Sequence, residues 1–503
     1  MKTCSYIIPA VETIDSLRDR LHQAFSSVNE TVETETLEAF DTFDWRLYHK
    51  GWQLIRQAGQ WTLSTLATDQ PMARVDVNPA KPCRFHQDFP PSDLAERLKP
   101  VLEMRALVPL MTVRQERLRV DLCNDDEKTV VRLRIDTLTL VHSPHVVCRL
   151  WLEPIRGYKA EARTALAIVT DLVLAEATKP ALVALAEASG MSPGAYSSKV
   201  NVSLSPEMPA ADALRRIMEN LVAVMHSNLA GVREDIDSEF LHDLRVSVRR
   251  ARSLLGQVRG VLPEATSGQL QQQLKTIGTI TGPVRDLDVY LLKEAAYVDR
   301  VPGFLQDGIK RLFQNLARQR RTARNRLRKA MDTPAFAAAL AALDAFVAAE
   351  PVAETAPIGP IASAAIWKRY RRVVKRGRRI TDASAPERLH ELRITCKKLR
   401  YLLEFFASLY PAGTIKELVR QLKQLQENLG DFNDLSVQQE FLRQHLDTIR
   451  PASPQAVMLA AATGGLITRL AMDQEGVRAR FLEVFAAFDA PANRERFKSL
   501  FAV

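Results

Sequence analysis

Two histidines, each followed by a row of cations, carry the clearest chemistry in this chain. His242, Arg245, Arg249 and Arg252 stand at i, i+3, i+7 and i+10, so on a helix they form one stripe. His390, Arg393, Lys397 and Arg400 repeat the stripe, with Arg250 and Lys398 beside the two rows. Like charges at these spacings cost a helix about 0.2–0.5 kcal/mol per pair. A row kept twice despite that cost points to an anion that neutralises it, and guanidinium groups give phosphate oxygens directional hydrogen bonds. A histidine at the head of such a row would donate to phosphate. Two histidines without nearby Cys or carboxylate spacing make a poor metal site, so no metal and no cofactor are expected. The competing reading is a solvated helix face with structural salt bridges, the histidines making structural hydrogen bonds.

The elements that must position these side chains are legible as a duplication. Leu241-His242-Asp243-Leu244-Arg245 returns 148 residues on as Leu389-His390-Glu391-Leu392-Arg393. The same offset carries Leu274-Lys275 onto Leu422-Lys423, Gly282 onto Gly430 and Arg285-Asp286-Leu287 onto Asn433-Asp434-Leu435. Leu241, Leu244, Val248, Ala251 and Leu255 form an apolar stripe beside the first row; Leu389, Leu392, Cys396 and Leu399 do so beside the second. Each row therefore belongs to a helix that packs with one side and displays cations on the other. Lys275, Arg285 and Lys423 flank the rows and join the expected site. The Arg285-Asp286 and Asn433-Asp434 pairs, each after a glycine, are read as turns between helices. Asp286, Asp288 and Asp434 then cap the next helix or orient the arginines. Two further basic runs would widen the surface: one with Arg372, Arg376 and Arg379, the other with Arg321, Arg324 and Arg328.

Charge separates the two halves of the chain. Residues 1–200 hold 24 Lys+Arg against 26 Asp+Glu, which leaves 45 against 33 of the total 69 and 59 for residues 201–503. The net +10 lies wholly in the C-terminal part, which suits a polyanionic partner. The first half reads as α+β. A helix is expected from Val11 to about Phe25, strands from Met111 to Leu122 and Thr129 to Leu140, and helical pattern from Lys159 to Ala188. Arg117 and Arg119 share one strand face; Arg132 and Arg134 share another, opposite Val131, Leu133 and Ile135. That is either a solvated outer face or the basic lining of an open barrel. Turn formers at 189–198 and a break at 350–360 divide the chain into a domain at 1–180, a linker at 181–207 and all-α repeats at 208–350 and 351–503.

Composition excludes several classes. At 46% hydrophobic and 25% charged the chain is not wholly disordered. Five scattered cysteines without a Cys-x-x-Cys spacing argue against a disulfide framework or zinc cluster and fit a reducing, cytoplasmic setting. No run approaches the roughly 18 apolar residues of a membrane span, so no membrane partner is expected. Neither a phosphate-cradling Gly-rich loop, nor His-Glu-x-x-His, nor a Gly-x-Ser-x-Gly elbow occurs.

The duplicated residues resemble the CHAD family, the conserved histidine α-helical domain, over about residues 208–503. The resemblance rests on the paired His-x-x-Arg helices with trailing bases, Lys275 and Lys423, and the Arg-Asp and Asn-Asp pairs after glycine. It implies two pseudo-symmetric four-helix bundles with basic surfaces flanking a central cavity. It also implies binding of inorganic polyphosphate and, in some members, association with polyphosphate granules. Asn433 stands where the first repeat has Arg285, so the halves are not equivalent.

The N-terminal part resembles a degenerate CYTH domain, an open β-barrel of the triphosphate tunnel type. Ala39-Phe40-Asp41-Thr42-Phe43-Asp44-Trp45-Arg46-Leu47 is similar to that family's second-strand signature, and the paired arginine strands to its tunnel lining. The family's Glu-x-Glu-x-Lys in the first strand is missing. Tyr6-Ile7-Ile8-Pro9-Ala10 stands there, and Glu33 and Glu35 have the spacing only after the helix. A two-metal triphosphatase lacks its ligands without that pair. The leading expectation is therefore a polyphosphate-binding protein rather than an enzyme. The alternatives are a triphosphatase or polyphosphatase in the N-terminal part, and nucleic-acid binding by the basic helices, against which stands the absence of interleaved aromatics.

Overall fold

The computed structural model describes residues 4–8, 12–172, 175–350, 356–450 and 453–502. Pro9, Ala10, Val11 (the expected start of the first helix) and residues 351–355 of the second break lie outside them. The chain divides into two compact units, Met1–Ser197 and Ser198–Val503.

The first unit runs β1 (Cys4–Ile8), α1 (Glu12–Ala24), β2 (Ser27–Thr42), α2 (Arg46–His49), β3 (Trp52–Gln57), β4 (Gln60–Thr65) and β5 (Pro71–Asp76). It continues with α3 (Asp93–Leu102), β6 (Leu107–Cys123), β7 (Thr129–Leu140), β8 (Val146–Pro154), α4 (Lys159–Asp171), β9 (Ala175–Glu176) and α5 (Ala181–Ala188). The nine strands form one antiparallel sheet in the order β5-β4-β3-β2-β6-β7-β8-β1-β9. The helical pattern expected over 159–188 is interrupted by β9, and Pro180 opens α5 as its N-cap.

Strand alternation sorts the sheet's two faces. Leu118, Val120, Leu122, Val131, Leu133 and Ile135 pack with Leu17, Leu21, Ala165 and Val169 of α1 and α4. The opposite face is polar. There Arg117, Arg134, Asp136 and Arg149 line a cavity of about 370 Å³ with Glu35, Asp69 and Arg74. Arg117 donates to Asp136 at 2.7 Å and Arg134 pairs with the same carboxylate at 3.0 Å. Arg119 and Arg132 instead stand exposed, paired with Glu33 at 3.3 Å and Asp121 at 3.2 Å. The register places Ser5 and Ile7 of β1 across from Trp151 and Arg149, so no carboxylate of β1 reaches this face.

The second unit is helical: α6 (Ala210–Glu234), α7 (Ser238–Gln257), α8 (Glu264–Leu291), α9 (Glu294–Val298), α10 (Gln306–Met331) and α11 (Pro334–Ala348). The second repeat adds α12 (Ile358–Gly377), α13 (Pro386–Phe405), α14 (Ala412–Asp447), α15 (Pro454–Ala479), α16 (Phe481–Phe488) and α17 (Pro491–Phe501). The starts of α6, α7 and α8 return at α12, α13 and α14 with the 148-residue offset seen in the sequence. Ala210 N donates to Ala356 O at 3.0 Å and Ile358 N to Met208 O at 2.9 Å, each bond being the other moved by that offset. Such reciprocity is what a pseudo-two-fold axis between the repeats requires. Helices α6, α7, α8 and α11 pack as one bundle; α12, α13 and α14 pack as the other, with the short α16 and α17 in the fourth place. Helices α10 and α15 lie on α8 and α14 and against each other.

Two expectations are corrected here. Gly282 and Gly430 mark no turn: α8 and α14 run straight through them. Buried Ile277, Thr281, Val284 and Leu287 keep helical spacing across the first, and Leu425, Leu429, Phe432 and Leu435 across the second. That burial outweighs the roughly 1 kcal/mol a helical glycine costs, so the following acids cap nothing. Within Pro454–Phe488 an 18-residue window reaches a mean hydropathy of 1.3, so the stretch is long and apolar enough by composition to cross a membrane, and 28% of that window is buried. In this fold its Leu459, Ala462, Leu466 and Leu470 are buried, and α15 packs on α14 and α10.

Candidate functional site

Helix α7 is capped by Asp237, whose carboxylate accepts from Glu239 N at 2.8 Å and Phe240 N at 3.2 Å; α13 starts with Pro386 in its first turn. The two helices pack on each other and bring their cation rows together. At the centre are Arg249 and Lys397, which occupy equivalent positions in the repeats. Burial pushes the Lys397 ammonium down to about 8, helped by Arg393 and Arg249. Burial also lowers Arg393, opposed by Asp434 and reinforced by Arg249. Arg245 is lowered by burial too, against Asp286 and together with Arg249 and Arg285. Crowding of like charge is thus the electrostatic character of this contact.

The individual side chains are held differently. Arg245 donates to Gly278 O at 2.8 Å and Thr281 Oγ1 at 3.0 Å, which ties α7 to α8. Arg393 pairs with Asp434 at 3.3 Å. In both arginines Nε is buried without a hydrogen-bond partner, at positions the duplication makes equivalent. Arg249, Arg252, Lys275 and Lys423 are exposed, and among the described residues none of them makes an ion pair.

The two histidines differ in their protons. Arg285 donates to His242 Nδ1 at 2.7 Å, and since a guanidinium has no acceptor, His242 carries its proton on Nε2. His390 Nδ1 meets Asn433 Oδ1, so there Nδ1 is the donor. His390 also opens onto a groove of about 650 Å³ with Asp286, Asp434 and the stacked Tyr290–Phe441 pair.

Several expected members lie elsewhere. Arg250 is buried, donating to Ser198 O at 2.6 Å and pairing with Glu404 at 3.2 Å. Arg285, besides its bond to His242, reaches Ser238 O at 3.2 Å and Glu239 at 3.6 Å. Arg400 pairs with Glu404 at 3.2 Å and lines a cavity of about 830 Å³ with Arg250, Lys416, Arg420 and Lys423. Lys398 and Arg372 meet in another cavity, and Arg379 lines a third beside Trp367. Arg376 is committed to Thr395 at 2.7 Å and Glu391 at 3.2 Å, and Arg324 to Asp235 at 3.3 Å. Arg321 and Arg328 stand exposed on α10. Asp288 is buried in an ion pair with Arg320 at 2.5 Å, and Arg320 also holds Asp235 at 2.6 Å. Sequence reasoning passed over Arg259; Lys368 and Arg369 belong to the basic run with Arg372 that it read as widening the surface, and their i, i+1, i+4 spacing puts them in the cavity of Lys398. Among the described residues no group of three or more His, Cys, Asp or Glu is placed to hold a metal.

Residues 216–443 match the CHAD domain family. Two uncharacterized proteins of Mycobacterium tuberculosis are each 26% identical over 246 residues, 48% of this chain and 46% of theirs. The chain thus spans about half the length of the curated relatives it matches. The solved CHAD domain of the plant Ricinus communis is similar with a TM-score of 0.50 and 25% identity, over 58% of this chain and 96% of that one. A solved Hippeastrum protein, described as a candidate adenylyl cyclase with a dominant triphosphatase activity, covers 39% of this chain and 99% of its own at 13% identity and a TM-score of 0.26. Residues 216–443, with the duplicated His-x-x-Arg helices at their centre, are a CHAD domain.

Proposed function

We propose that this chain binds inorganic polyphosphate along the facing cation rows of α7 and α13, without turning it over. The observation that carries the reading is the matched pair Arg245 and Arg393, each with a buried Nε–H that no acceptor meets. A buried donor left unpaired costs about 1–3 kcal/mol, a cost recovered when a phosphate oxygen accepts from it. Arg249 and Lys397 stand beside them, and His242, its Nδ1 accepting from Arg285, heads its row. A flexible chain with a charge on every phosphate fits such a row, and its affinity should come largely from released counterions. Single-stranded nucleic acid offers the same charge but draws much of its affinity from base stacking. Tyr401, the aromatic that adjoins the row, is only 7% exposed, which favours the inorganic polymer. Association with polyphosphate granules follows as part of the same proposal.

The test is a titration of labelled long-chain polyphosphate with the full chain at low salt, followed by competition with RNA at equal phosphate concentration. Tight, salt-sensitive binding that RNA displaces poorly is expected. No binding at low salt, or equal displacement by RNA, overturns the proposal.

A further inference from the structure

On α13 neighbouring residues point about 100° apart, so Lys398 leaves the row that Lys397 joins. It enters a cavity of about 590 Å³ between α7, α12 and α13, where Arg259, Lys368, Arg369 and Arg372 also converge. Not one carboxylate lines this cavity. Among the described residues none of the five cations makes an ion pair. Gln257, whose amide donates to Lys398 O at 3.1 Å, and small or aliphatic residues such as Val258, Ile361 and Leu402 line the rest, and no aromatic ring takes part.

Comparison of the repeats shows what is missing. The equivalent of Lys398 is Arg250, which is neutralised by Glu404 at 3.2 Å and by the Ser198 carbonyl at 2.6 Å. The residue 148 positions before Glu404 is Gly256, which lines the cavity beside Lys398. A Cβ built on Gly256 would meet nothing within 4 Å. One repeat therefore carries an internal countercharge where the other carries an open space surrounded by cations. Burial depresses the Lys398 ammonium, with Arg369, Arg372, Arg376 and Arg259 adding to the effect, which is the signature of a cation cluster short of anions.

We propose that this cavity is a second anion site, taking a compact oligophosphate, free or carried on a nucleoside. The size falls within the roughly 300–1,000 Å³ typical of small-ligand pockets. Guanidinium groups from α12 and from the end of α7 approach from two sides and suit bidentate contact with successive phosphates. With no ring to stack on, recognition rests on the phosphates, so tripolyphosphate and ATP bind alike. The site does not depend on polyphosphate binding at the α7–α13 row.

Calorimetric titration of the full chain with tripolyphosphate, and separately with ATP, tests this. The key variant is Gly256→Glu, which returns a carboxylate to the position of Glu404; glutamate favours a helix more than glycine does, so the fold is retained. Arg369→Ala/Arg372→Ala is the second variant. Each should weaken tripolyphosphate at this site by about tenfold or more, as the loss of one charge-assisted contact would. An Arg249→Ala/Lys397→Ala variant should keep it. If the row binds no anion, the wild-type isotherm shows one class of site, which Gly256→Glu removes. An isotherm unchanged by both Gly256→Glu and Arg369→Ala/Arg372→Ala overturns the proposal, as does an ATP affinity far above that of tripolyphosphate.

Discussion

Replacing Arg249 and Lys397 together by alanine isolates the anion contact from the fold. Arg249 is exposed, Lys397 is half-buried, and among the described residues neither side chain makes a hydrogen bond or ion pair. Their removal should therefore cost the folded state nothing. It removes an ammonium that burial, with repulsion from Arg393 and Arg249, holds near 8, so the melting temperature should hold or rise. Binding is another matter. At about 1.5 kcal/mol for each charge-assisted hydrogen bond lost, the pair accounts for about 3 kcal/mol, or roughly 100-fold in affinity for polyphosphate at fixed salt. Two phosphate contacts fewer should also flatten the dependence of log K on log salt by about 1.4. The assay is anisotropy of labelled polyphosphate over a salt series, with circular dichroism melts alongside. Arg321→Ala/Arg328→Ala removes the same charge from exposed positions on α10 and should cost far less. Equal losses from the two variants, or an unchanged salt slope, would refute the idea of a defined row.

The remaining predictions concern pH and the scaffold. Lys397 in the free chain loses its proton as pH rises through about 8, whereas a bound polyanion favours the charged form. Affinity should therefore fall between pH 7 and 9, with proton uptake on binding near pH 8, and Lys397→Arg should flatten the profile. Arg245→Ala should lower stability by about 1–2 kcal/mol, since it removes two hydrogen bonds between α7 and α8; chemical denaturation beside Arg249→Ala checks this. Arg320→Ala leaves Asp288 buried and unpaired and should cost about 3–5 kcal/mol. Burial already raises the Asp288 carboxyl, and without Arg320 it rises further. A raised carboxyl binds its proton more readily folded than unfolded, so stability falls as pH climbs past the ordinary value. The loss in Arg320→Ala should accordingly be smaller at pH 5 than at pH 8 in thermal melts.

The sequence disclosed what local spacing encodes. The offset that relates His242 to His390 also relates the helix starts and the two backbone bonds at the pseudo-two-fold axis, because duplication copies whole elements. The strands β6 and β7 were legible from their alternation, with ends within a few residues of those observed. Most of β2 was not: from Val28 to Glu35 its residues are exposed or half-buried on both faces, so no apolar period marks it. Glycines 282 and 430 suggested turns because their cost is local, while the burial that overrides it comes from neighbouring helices. The fate of single cations was hidden for a related reason. Arg250 finds Glu404, and Arg324 finds Asp235, only in the tertiary fold. Lys397 and Lys398 look alike in sequence, yet one residue of helix sends them to different surroundings.

A crystal structure of the full chain grown with polyphosphate tests the central claim most directly. The account predicts a run of phosphates along α7 and α13, with phosphate oxygens accepting from Nε of Arg245 and Arg393 and lying between Arg249 and Lys397. Phosphates seated only on α10, or none along the α7–α13 contact under conditions where binding is saturated, would contradict it.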